Sequence, residues 1–355
     1  MSRGILGSAY IYPISILAGL IAVLFTVRRL SSTTMTKPWK AALDALPSTP
    51  DNIPAFFFAH GSPMLATPSN GGHAVFGSRQ GLMEYQGPNG PLANFLRDFG
   101  PALLEKYKPK GIVVFSAHWE SPQRLVTDYG DENPLLMDYY GFSPELYQLK
   151  FKSRGDKTLA NRVVELFKEA GLPARTTPRT EARGEDGRGY TGPGLDHGVF
   201  VPFRIMFGDE FTSIPIVQAS IDSSLKPSDN WKVGAAVRKL RKENILVLSG
   251  GLTIHNLRDF SAFHPDTASA AYKSFDEALH KAMATPEPAK RQEAMYALTK
   301  HPGFRAAHPR EDHFVPLYVA AGAGSGDAAN GIPEGEVRTI VDLYGIPTFA
   351  FGVVG

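Results

Sequence analysis

The chain has 355 residues, of which 43% are hydrophobic, 20% are charged and none is cysteine. The missing thiols exclude disulfide frameworks, cysteine nucleophiles, thiolate zinc sites, iron–sulfur clusters and thiolate-ligated haem, so any metal must be held by nitrogen and oxygen. With 37 basic against 35 acidic residues and a net charge of +2, no nucleic-acid partner is indicated, and the ten histidines become the population to follow.

The N-terminal segment stands apart. No charged residue occurs from Gly4 to Val27, the most apolar part is Ile14–Val27, and Arg28 and Arg29 close the run with Lys37 and Lys40 beyond. A bilayer core takes about 20 apolar residues in a helix, so residues 10–27 are long enough for a membrane tether. Only Arg3 and the α-amino group lie on the other side, and the positive-inside bias leaves the rest of the chain in the cytoplasm. Two other readings stand beside this one: a cleaved targeting peptide, and translation from Met35. Residues 1–34 are thus read as an anchor or targeting segment plus linker, and 45–355 as one folded domain.

Within that domain the elements follow in order. Ala55–Ala59 (AFFFA) is a short apolar run that predicts a strand. Pro91–Tyr107 predicts a helix, with Leu92, Phe95, Leu96, Phe99, Leu103 and Leu104 at helical spacing. Gly111–Ala117 (GIVVFSA) returns to strand, and Lys157–Ala170 predicts a helix stopped by Gly171. Arg175–Gly194 is polar and aperiodic and is read as a loop. Strands are then expected at Ile214–Ile221 and Ile245–Ser249, and helices at Ser228–Lys242, Thr267–Ala284, Ala289–Lys300 and His313–Ala321. A Gly/Ala-rich loop, Gly322–Glu336, precedes two final strands, Val337–Leu343 and Thr348–Val353. This alternation predicts an α/β fold: a single domain of about 310 residues with a central, mostly parallel or mixed sheet flanked by helices.

The histidines fall where such a fold binds ligands, in the crevice beyond the carboxyl ends of the strands. His60 follows AFFFA, His118 follows GIVVFSA, and His255 lies six residues past ILVLS. A single histidine after a strand is ordinarily a hydrogen-bonded loop residue. Three in similar contexts point to a shared metal site. His197 (GLDHGVF) ends a glycine-rich loop, and the preceding Asp196 is a candidate to orient an imidazole. His308 and His313 lie at a loop-to-helix junction, and His73, His264, His280 and His301 read as surface or turn residues. No GxSxG, GxxxxGK[ST], strand–GxGxxG–helix or HExxH motif occurs. The carboxylates nearest in sequence are Glu120 and Asp196, and so imidazole-rich a site favours Fe(II) or Zn(II) over Mg(II) or Ca(II).

The blocks HGSPM (60–64), SAHWE (116–120), LDHG (195–198), IHNL (254–257) and HPREDHFVPLYVAAGA (308–323), in that order, resemble the LigB-like class III extradiol ring-cleavage dioxygenases, in the DOPA-dioxygenase branch. The resemblance runs from about Ile53 to Gly352 and makes residues 45–355 a catalytic domain. It implies a non-haem metal site formed by His60, His118 and His255, with His197 as a further ligand or as the acid/base residue. It also implies a catechol substrate and dioxygen. Ring cleavage needs a redox metal, so Fe(II) is expected, with Zn(II) as a frequent occupant. The third ligand is a histidine where many Fe(II) oxygenases place a carboxylate. His313 is a second candidate catalytic residue, to hydrogen-bond oxygen or substrate or to brace the wall. Phe58, Trp119 and Tyr190 are candidates for an aromatic pocket, and Lys152, Arg183 and Arg188 for a substrate carboxylate. The alternatives are a zinc hydrolase using the same histidines and a non-catalytic metal-binding protein.

Overall fold

A β-strand sends successive side chains to opposite faces, and a sheet covered on both sides needs apolar residues at every position. The run AFFFA meets that demand. It forms strand β1 (Ala55–Ala59), and all five residues are buried. The computed structural model from which this is seen describes residues 37–48, 52–68, 80–183 and 192–354. The apolar run at 10–27, His73, Arg188 and Tyr190 lie outside the described residues. Among the described residues no helix is long and apolar enough to cross a membrane.

The remaining strands are β2 (Gly111–Ser121), β3 (Arg124–Asp128), β4 (Lys152–Ser153), β5 (Ala174–Pro178), β6 (Glu210–Phe211), β7 (Ile216–Asp222), β8 (Ile245–Gly251), β9 (Glu336–Val341) and β10 (Thr348–Val353). Eight form one sheet in the order β5-β3-β7-β2-β8-β1-β10-β9, and β4 and β6 pair separately. Its centre is parallel, with β7, β2, β8 and β1 side by side. Both flanks bring in antiparallel pairing: β10 on β1, β9 on β10, and β3 on β7. The expectation of one α/β domain with a mixed sheet between helices matches this architecture.

Alternation along the strands builds two cores. Phe57, Val113, Phe115, Val217 and Val247 face one side, under helices 157–169, 227–236, 270–283 and 316–324. Phe56, Phe58, Ile112, Val114, Leu246 and Leu248 face the other, under helices 91–107 and 197–207. A helix ahead of residue 45, Pro38–Asp44, also packs here, its Trp39 ring edge-on to Phe95 at 5.4 Å.

Several elements differ from expectation for identifiable reasons. β3 (RLVTD) and β5 (ARTTP) were hidden by their polarity; they lie toward the margin of the sheet, and part of the expected 175–194 loop is therefore strand. The apolar run after His197 is a helix, His197–Phe207, buried nearly all round, so its pattern carries no periodicity to read. The last long helix begins at Pro316 instead of His313, because proline is favoured in the first turn of a helix, and it runs to Gly324 through the start of the expected Gly/Ala loop.

Candidate metal centre and active site

His60 directly follows β1, and Gly61, at φ +69, turns the chain away immediately behind it. His118 lies within β2, which continues to Ser121; the pairing of β2 with β7 breaks register between Phe115 and Glu120. Such an irregularity re-aims side chains at a strand's end, and His118 sits in it. His197 opens its helix. His313 comes from the loop before Pro316, and its carbonyl accepts the amide of Leu252 at 2.9 Å, which ties that loop to the end of β8.

These imidazoles converge. Ring centroids lie 5.0 Å apart for His60 and His118, 5.2 Å for His60 and His313, 4.9 Å for His118 and His313, and 4.0 Å for His118 and His197. A ring nitrogen from each of His60, His118 and His313 lies within 4.8 Å of the other two, and all three residues are buried. His255 stacks on His313 at 3.5 Å and groups with Asp312 and His313, not with His60 and His118.

The carboxylate behind these rings is Asp138. Its Oδ1 accepts the backbone N–H of His197 at 2.9 Å and lies 2.8 Å from the Nδ1 of the same residue. Its Oδ2 lies 3.2 Å from Nδ1 of His118. Burial pushes the Asp138 carboxyl upward, but the His197 and His118 imidazoles that face it outweigh burial and hold the group well below the usual carboxylate range. Asp138 also faces the positive end of the His197–Phe207 helix, where a carboxylate is favoured.

Asp196, the residue expected to orient an imidazole, serves another network. It accepts Ser116 Oγ at 2.7 Å, Arg183 Nη2 at 2.9 Å and Gln218 Nε2 at 2.5 Å, all buried. Arg183 also donates to the carbonyl of His118 at 3.2 Å and lies over the Trp119 ring. Arg183 is therefore a buried brace for the strand that carries His118, not a group free to meet a substrate carboxylate. Lys152 is exposed and paired with Glu210 at 2.7 Å, and Phe58 packs in the core against Phe203. Trp119 is buried, and its Nε1–H donates to the Arg183 carbonyl. Glu120 is engaged by both terminal nitrogens of Arg310.

Gly198 makes the crossing of helix and strand possible. A β-carbon there would sit 2.7 Å from Ser116 Oγ and 2.8 Å from His118 Cδ2. Gly198→Ala is expected to push His118 aside, weakening metal affinity in a calorimetric titration and lowering stability by about 1–3 kcal/mol in urea, as overpacking does.

His308 stabilises the wall and takes no part in the cluster. It is buried among Phe275, Phe304 and Phe314, its Nε2–H donates to the Thr253 carbonyl at 2.8 Å, and burial pushes its pKa down to about 4. An unfolded histidine takes up a proton near pH 6.5. The folded state refuses that proton until pH 4, so stability from this group is complete above about 6.5 and drains away as pH falls toward 4. The full loss is about 3 kcal/mol. Urea midpoints measured across that window are expected to fall less steeply in His308→Phe than in the natural protein.

Comparison with known proteins gives the family. A family described as the catalytic LigB subunit of aromatic ring-opening dioxygenase matches residues 54–354. A fission yeast (Schizosaccharomyces pombe) protein described as 4,5-DOPA dioxygenase extradiol-like is 44% identical over 318 residues, covering 89% of this chain and 97% of that one. The 4,5-DOPA dioxygenase extradiol of Beta vulgaris is 31% identical over 274 residues, covering 77% of this chain and 88% of its own. The chain belongs to the LigB family. It is a non-haem, extradiol ring-opening dioxygenase. A solved structure of an uncharacterized Escherichia coli K12 protein shares the fold, with a TM-score of 0.56 at 23% identity, covering 84% of this chain and all 100% of that one.

LigB membership implies a metal cofactor, and the donor set fits one: three buried imidazole nitrogens within mutual reach, with a carboxylate behind. Of the residues that sequence reasoning singled out in this LigB chain, His60, His118, His197 and His313 come together, and His255 joins them through His313. Asp138 was missed. It lies in PLLMDYYGF, and the one local signal was an acidic residue amid apolar neighbours.

Proposed function

We propose that this LigB enzyme opens the ring of a catechol bearing a DOPA-like side chain, with Fe(II) as its working metal and Zn(II) as a frequent occupant. The observation that carries this reading is the convergence of buried imidazoles beyond the carboxyl ends of β1 and β2, with one carboxylate behind two of them. His60 and His118 hold the metal together with an imidazole of the stacked His255–His313 pair; the family resemblance implies His255, and the distances bring His313 closest. Bound there, Fe(II) supplies Lewis acidity toward the catechol hydroxyls and a redox partner for dioxygen.

The protein's own groups do the rest. His197, held through Nδ1 by Asp138, keeps Nε2 to take the catechol proton and later return it. Tyr139 stands edge-on to His197 at 5.4 Å, backed by Tyr147 at 5.1 Å and Phe142 at 5.5 Å, and forms an aromatic wall for the substrate ring. Tyr139 donates its hydroxyl to the Leu146 carbonyl and so shows the site a ring and not a proton donor. One oxygen atom enters the new carboxylate and the other the aldehyde, so both atoms of dioxygen end in the product.

The reading is tested by loading metal-free protein with Fe(II) under nitrogen and admitting catechols and air. One dioxygen consumed per catechol, with a new yellow chromophore, is expected; catechol turnover without oxygen uptake would overturn it. Metal titration of His255→Ala and His313→Ala then separates the stacked pair. The variant of the third ligand loses metal, and the other retains metal while turning over slowly.

We further read residues 10–27 as a membrane tether that leaves the catalytic domain in the cytoplasm. Fractionation of the full chain against one starting at Met35 tests this, and recovery of both in the soluble fraction would remove the tether.

A further inference from the structure

We propose that Asp138 is a positioning residue that sets two imidazoles at once, holding His118 and His197 as Nδ1–H tautomers so that each keeps its Nε2 lone pair for the reaction centre. This inference rests on the reading of His118 as a ligand and His197 as the proton acceptor.

The geometry divides the carboxylate between them. Oδ1 is occupied by His197, which reaches it through both its backbone N–H and its Nδ1, and Oδ2 faces Nδ1 of His118 at 3.2 Å. A carboxylate can only accept, so the proton on each contact belongs to the imidazole. A neutral imidazole with Nδ1 protonated carries its lone pair on Nε2, the atom that ligates a metal or takes a proton. The Asp138 side chain is fully buried, so water does not compete for either oxygen.

Two further groups hold the His118 backbone. Its amide donates to Ser116 Oγ at 3.1 Å, and its carbonyl accepts Arg183. There is also a consequence for charge. A ligand set made of imidazoles lacks the anionic member that a 2-His-1-carboxylate site has. Asp138 brings that negative charge to within 3.2 Å of His118 Nδ1, where such carboxylates make the ligand more basic. Metal affinity and proton transfer thereby depend on one side chain.

Two measurements test this, and neither needs catechol turnover. In metal-free natural protein labelled with 15N-histidine, NMR is expected to show His118 and His197 protonated at Nδ1, with resonances assigned by their loss in His118→Asn and His197→Asn. An Nε2–H signal from either would overturn the proposal. Co(II) titration of Asp138→Asn, read by the visible absorption of the ion, is expected to show affinity about 10–100-fold weaker with unchanged band positions. Unchanged affinity overturns the proposal, and so does a shift of the bands, which would make Asp138 a direct ligand. With Fe(II) and catechol, kcat is expected to fall while KM holds. If no catechol is turned over by the natural protein, the proposed function fails, but the NMR and Co(II) results still decide the role of Asp138.

Discussion

His118→Ala is expected to abolish ring cleavage and to weaken the fold at the same time. As the proposed metal ligand, His118 would support Lewis-acid catalysis worth several kcal/mol, and each 1.36 kcal/mol is a factor of ten in rate. A fall in kcat/KM of roughly three orders of magnitude or more follows, with metal absent from the purified variant. The second effect comes from Asp138. Removing the imidazole leaves Oδ2 facing a void inside the protein, and a buried charged acceptor that loses a partner costs about 1–3 kcal/mol. His197 still holds Oδ1, which keeps the loss below that of a wholly stranded charge. Elemental analysis, oxygen-electrode kinetics and urea denaturation check the three parts. His264→Ala is the control: that ring sits in a turn, accepting the Asp266 amide, and the variant is expected to match the natural protein in all three assays. A His118→Ala protein that retains metal and turnover would remove His118 from the centre.

The second large effect belongs to His197→Ala. Here metal is expected to stay, because the cluster of His60, His118 and His313 is formed without this residue. The rate should still fall by about 10²–10⁴, the usual contribution of a positioned acid/base group. Added imidazole should restore part of the activity, since the side chain removed leaves a space of that shape beside Tyr139. Loss of metal along with activity would make His197 a ligand, and unchanged kcat would deny it any part in proton transfer.

The sequence showed the centre of the fold more clearly than its margins. β1, β2 and β8 are buried on both faces, so their residues had to be apolar throughout, and such runs stand out. β3 and β5 lie at the far side of the sheet, where Arg124, Asp128 and Arg175 are tolerated, and the same tolerance made them resemble loop. Within the site, His60 and His118 were legible because each follows or ends an unmistakable strand. His313 was legible as a candidate catalytic residue, but the helix expected to begin with it starts at Pro316, where the proline marks the first turn. Asp138 could not be found from spacing. It lies 59 residues from His197 and gains its meaning when the segment carrying it is laid across the start of another helix. Arg183 was expected to face a substrate carboxylate and Asp196 to orient an imidazole, whereas the two pair with one another in the interior, a contact that sequence does not show.

The pairing of β1 bears on how the protein matures. β1 is the first strand of the sheet, yet its two neighbours are β8 and β10, and β10 ends at Val353. Contacts so distant along the chain form late, after a large loop-closure cost has been met. His60, at the end of β1, therefore has no settled position until the chain has been made as far as β10. Before β10 is made the nascent chain carries the histidines but not the site, and metal capture follows the docking of that strand.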